Sequence, residues 1–95
     1  MNAAHRLIAS ELERVRSVEN LYQDFVKKRV PAVLNKVDHT IGFRCDAPQV
    51  LRVLKNMGYT LVHKDGTTQV LKNAEHQIQI REPHEGWNPV LRVLH

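Results

Sequence analysis

The chain has 95 residues, 42% hydrophobic and 25% charged, with a formal net charge of +4. A chain this short makes one domain with a small core, and its ordinary composition excludes wholesale disorder. The single Cys45 excludes an intramolecular disulfide scaffold and points to a reducing cytoplasm, and no apolar run approaches the roughly 18 residues that a membrane span requires. The positive balance excludes an acidic mimic of nucleic acid and leaves nucleic acid itself among the candidate partners.

Residues 2–29 contain neither glycine nor proline, and their apolar positions recur at helical spacing. Leu7, Ile8, Leu12, Val15, Val18, Tyr22, Phe25 and Val26 fall in one broad arc, opposite Arg16, Ser17, Asn20, Asp24, Lys27 and Lys28. Such a helix is about 40 Å long, whereas a compact chain of this size has a radius of gyration of about 12–13 Å. Part of the arc therefore requires cover from another surface. Glu19 lies inside the arc, where an unpaired buried carboxylate is costly, so a cation from a partner would complete it; emergence into solvent explains it equally. Pro31 ends the helix, and residues 30–38 restart as a short helix with Val33, Leu34 and Val37 on one side.

From residue 39 the period changes to two. Ile41, Phe43 and Cys45 alternate with Thr40, Gly42 and Arg44, which predicts a strand. Asp46 caps a helix whose stripe is Val50, Leu51, Val53, Leu54 and Met57, with Gly58 as its left-handed stop. Asp65-Gly66 joins two alternating runs as a hairpin, and residues 76–81 alternate again around Ile78 and Ile80. The pentapeptide V-L-R-V-L occurs at residues 50–54 and at 90–94. The first copy is helical because caps bracket it. The second follows Asn88-Pro89 and suits a short helix or an edge strand, and dissimilar flanks argue against a duplicated unit. The predicted class is α+β: a long and a short N-terminal helix, then a β-α-β-β-β unit with a small antiparallel-rich sheet. The parts are a helical arm, residues 1–38, and a small α+β domain, residues 39–95, in one compact unit.

No catalytic signature emerges. His5, His39, His63, His76, His84 and His95 lack metal-site spacing, and Cys45 sits among apolar residues where a thiol packs inertly. The four glycines are scattered, so no phosphate-cradling loop exists, and no cofactor or metal is expected. The expectation is a non-enzymatic regulator or adaptor that dimerises or docks on a protein through Ile8, Leu12, Val15, Val18, Glu19, Tyr22 and Phe25. The alternative is a nucleic-acid module using Arg44, Arg52, Lys55, Lys64, Lys72 and Arg81, although Trp87 is the one evident stacking candidate and a solvated sheet guarded by lysines explains the same charges.

Residues 50–86 resemble the helix, Gly-aromatic, strand, turn-Gly, strand order of HicA-type toxins, small RNA-cleaving proteins with a double-stranded-RNA-binding-like fold. That family carries its catalytic histidine just after the turn glycine, where this chain has Thr67, Thr68 and Gln69. The resemblance thus implies RNA binding rather than cleavage, and it has no counterpart for residues 1–38.

Overall fold

A computed structural model describes residues 3–83 and 88–94, with side chains from residue 11 onward. The elements run α1 (Ala3–Lys27), β1 (Ala32–Asn35), β2 (Thr40–Phe43), α2 (Ala47–Asn56), β3 (Thr60–Asp65), β4 (Thr68–Lys72), β5 (Gln77–Arg81) and β6 (Val90–Val93). The fold is α+β. All six strands form one antiparallel sheet in the order β1-β2-β6-β5-β4-β3. The C-terminal strand is therefore inserted between two hairpins, and α2 carries the chain from β2 to the far edge.

Register assigns the two faces. Ile41, Phe43, Leu71, Ile78, Ile80, Leu91 and Val93 share one face and are buried. Val18, Leu21 and Phe25 of α1 and Val50 and Leu54 of α2 pack into the same cluster, so both helices cover this face. Phe25 meets Phe43 edge-on, with ring centroids 4.9 Å apart. The other face carries Thr40, Gly42, Val90, Arg92, Gln79, Arg81, Val70 and Lys72, and no described helix lies over it.

Both helices stop in the same way. The Tyr59 N–H donates to the Leu54 carbonyl and the Gly58 N–H to Lys55, each at 3.0 Å, with Gly58 at φ +91°. The Val30 N–H likewise donates to Phe25 and the Arg29 N–H to Val26, each at 3.0 Å. These are Schellman ends, and buried Tyr59 and Val30 supply their apolar contacts. The second motif uses a non-glycine, because Arg29 takes φ +59°. Helix α1 is thus terminated before Pro31 acts.

The short helix expected after Pro31 is replaced by β1. Ala32 and Leu34 turn toward the core while Val33 and Asn35 face out, a period of two. The Asn35 side-chain oxygen accepts from the Val37 and Asp38 N–H groups at 2.9 and 3.1 Å, which makes residues 35–38 a turn. The segment 1–38 therefore supplies an edge strand as well as a helix. The open choice at residues 90–94 resolves as a strand, and a central one rather than an edge. The cap at Asp46 is as expected: its carboxylate accepts from the Gln49 N–H at 3.1 Å. Among the described residues, no helix is long and apolar enough to cross a membrane.

Candidate functional site

Helix α1 presents two apolar stripes, not one. At 100° per residue, Val18, Leu21 and Phe25 share the side that faces the sheet, and Val18 and Phe25 are 1% and 0% exposed. Leu12, Val15, Glu19, Tyr22 and Val26 follow one another at alternating steps of three and four, on the neighbouring flank. Leu12 is 63% and Val26 47% exposed, Val15 and Tyr22 are half-buried, and Glu19 is exposed. Alternating steps of three and four are the spacing of a helix–helix seam.

This divides the residues expected to bind a partner. Leu12, Val15, Glu19 and Tyr22 lie on the second stripe, where Leu12 and Glu19 are exposed and Val15 and Tyr22 are half-covered. Val18 and Phe25 belong to the protein's own core and are not available without opening it. The Ile8 side chain lies outside the described residues, although its position continues the seam by a step of four. The earlier grouping omits Val26, and the step rule identifies it. Beside the stripe, Glu19, Tyr22, Gln23, Val33, Leu34 and Lys36 line a concavity of about 440 Å³, with Val33 of edge strand β1 47% exposed. The helix seam and the β1 edge thus form one continuous surface. Its length matches the molecule, which measures 44 × 27 × 25 Å around a helix of 25 residues, about 37 Å long.

The basic residues do not converge. Lys72 and Arg81 lie on the open sheet face, Lys64 falls on the helix-bearing side of edge strand β3, Arg52 and Lys55 are on exposed positions of α2, and Arg44 follows β2. Arg92, absent from that set, stands on the open face diagonally across from Arg81. Alternation through the second V-L-R-V-L, read as a strand, assigns it there. Trp87 and His84 lie outside the described residues.

A separate groove of about 450 Å³ runs between α1 and the turns at residues 57–59 and 73–76, bordered by Ser17, Asp24, Tyr59, Asn73, Glu75 and His76. Burial, then the Glu75 and Asp24 carboxylates, push the Tyr59 phenol up to about 12, against a hydrogen bond with Asn73 that lowers it. The His76 Nε2 is 3.9 Å from Glu75. The Ser17 hydroxyl donates to the Glu13 carbonyl at 2.9 Å, a back-bond within the helix rather than a nucleophile–base pair. Burial and Asp46 both push the Cys45 thiol up, which keeps it protonated and weakly nucleophilic. Among the described residues, no three His, Cys, Asp or Glu side chains converge as a metal site.

No family model matches the chain, and no curated protein or solved structure matches it either. The likeness to HicA-type toxins therefore stands on the order of elements alone, and that order continues here into a six-stranded sheet.

Proposed function

We propose that this protein is a small binding module that self-associates through the seam on α1, with no chemistry of its own. The observation that carries this reading is the second stripe: Leu12, Val15, Tyr22 and Val26 keep helix-pairing spacing, yet their own domain leaves Leu12 and Val26 exposed and Val15 and Tyr22 only half-covered. Contiguous exposed apolar surface of this kind marks interfaces, and two-fold dimers are the commonest assemblies.

A second copy fits better than a foreign surface because the stripe complements itself. Two α1 helices laid antiparallel about residue 17 set Leu12 opposite Tyr22 and Val15 opposite Glu19, by simple counting along the seam. The second copy's Arg16 then stands one residue from the Glu19 layer, giving that carboxylate a counter-charge.

The test is mass in solution by light scattering for the wild type and for Leu12→Glu/Val26→Glu. A wild type of twice the chain mass and a folded, monomeric variant are expected. A wild type that is monomeric at high micromolar concentration overturns self-association. Capture of a helical partner that the same variant loses would then replace the second copy as occupant. Phe25→Glu serves as the contrast, because it strikes the core and unfolds the chain instead.

A further inference from the structure

The open sheet face carries a second feature, independent of the helix seam. Val90 pairs with Arg81 and Arg92 with Gln79, so the two arginines are diagonal neighbours across β5 and β6. Diagonal positions are about 7–8 Å apart, within reach of long side chains converging on one group. Both arginines are exposed, and they border a concavity of about 260 Å³ with Thr40, Gln79, Pro83 and Val90. None of the described residues lining that concavity is a carboxylate. Among the described residues, neither arginine takes part in an ion pair.

Two guanidinium groups placed side by side repel one another, and neither has an acidic neighbour among the described residues of this hollow. An anion between them relieves that repulsion. We infer that Arg81 and Arg92 form a binding site for the phosphoryl group of a small molecule. Guanidinium forks match phosphoryl oxygens in pairs, and a phosphate presents three terminal oxygens that two forks can share. A carboxylate presents two and is filled by one fork. The Thr40 hydroxyl and Gln79 amide supply neutral polar contacts at the floor, and Val90 and Pro83 supply apolar walls for the part of the ligand beyond its phosphate.

Scale and composition favour a small ligand over a nucleic-acid strand. The concavity falls just below the range of about 300–1,000 Å³ typical of small-molecule pockets. Single-strand recognition relies on aromatic platforms, and the paired open-face positions of β1 to β6 include no Phe, Tyr or Trp. One competitor is present. On its other flank Arg92 borders a hollow with Glu11, Arg14 and Asp38, yet it forms no ion pair with either carboxylate.

The experiment is a calorimetric titration of the full chain at low salt with pyrophosphate and with inorganic phosphate. Malonate and a short single-stranded oligonucleotide serve as comparison arms. Saturable one-to-one binding of pyrophosphate is expected, weakened roughly tenfold or more, about 1.4 kcal/mol, by either Arg81→Gln or Arg92→Gln. Arg52→Gln on α2 should leave it unchanged. Thermal melts confirm that the variants stay folded. Binding that survives both substitutions, or no saturation at millimolar pyrophosphate, overturns the site. Malonate binding as tightly overturns the phosphoryl assignment. An oligonucleotide that binds with length- and salt-dependent affinity while pyrophosphate does not would make the occupant a strand instead. Repeating the titration on Leu12→Glu/Val26→Glu separates this result from self-association, since neither substituted residue borders the hollow.

Discussion

Residues 50–54 and residues 90–94 are the same five side chains in the same order, yet one copy is the centre of α2 and the other is the central strand β6. The helical copy buries its first and fifth residues, Val50 and Leu54, one turn apart on the stripe that meets the sheet. The strand copy buries its second and fourth, Leu91 and Val93, because alternate residues of a strand share a face. The pentapeptide supports either period. What chooses is the surroundings: Asp46 and Gly58 close the first copy locally, whereas β2 and β5 bracket the second through distant pairing. Only the middle residue behaves alike, since Arg52 and Arg92 are both exposed.

The largest test of this contrast is an alanine scan through both copies, read by urea denaturation. Leu54→Ala and Leu91→Ala each leave a cavity at a site with no solvent exposure and should cost about 2–5 kcal/mol. Leu51→Ala and Leu94→Ala, at half-buried positions, should cost well under half as much. The sensitive positions are thus first and fifth in one copy, second and fourth in the other. Equal profiles in the two copies would contradict the assigned periods.

An intermediate effect belongs to the end of the helical copy, where Tyr59 closes α2. Its phenol is raised from 10.0 to about 12 in the folded protein, chiefly by burial. A folded state that holds this proton more tightly than the unfolded chain contributes stability that is complete below pH 10.0 and lost as pH rises toward about 12. Melting temperature should therefore fall over that window and fall less in Tyr59→Phe. A window unaffected by the substitution would assign the loss to other groups.

Smaller still are the caps. Asp46→Ala removes the acceptor of the Gln49 N–H and should cost about 1 kcal/mol, with no counterpart in the strand copy. The two Schellman ends make a paired test. Gly58→Ala places a side chain at φ +91° and destabilises, while Arg29→Gly relieves φ +59° and should stabilise by up to about 1 kcal/mol. Thermal melts with opposite signs for the two changes are expected, and matching signs would discount the left-handed strain.

These contrasts also explain which parts of the molecule were legible in the sequence. Asp46, Gly58 and Asp65-Gly66 act through neighbouring backbone, so α2 and the β3–β4 hairpin could be read directly. β1 could not, because its turn depends on Asn35 and its preceding stop on Arg29, neither a glycine, and because Val33, Leu34 and Val37 also fit one side of a helix. β6 depends on partners some 50 and 13 residues away (Thr40↔Arg92 and Gln79↔Arg92), which no local pattern encodes. On α1 the whole apolar arc was visible, but its division into a covered and an uncovered stripe was not. That division is set by the sheet, whose breadth covers Val18, Leu21 and Phe25 and leaves Leu12 and Val26 outside.

The smallest structural effect carries the sharpest functional contrast. Arg52→Gln and Arg92→Gln alter exposed middle residues of the two copies and should each change stability by no more than about 0.5 kcal/mol. In the helix, Arg52 stands on the outer surface beside Lys55, three residues on. In the strand, Arg92 stands diagonal to Arg81 over a shared hollow. Nitrogen-15 spectra of the arginine side chains should show Arg81 and Arg92 shifting together as pyrophosphate is added, with Arg52 still. Shifts of similar size at all three would mean that the anion follows net charge alone, and the geometry of the strand copy would then confer nothing that the helical copy lacks.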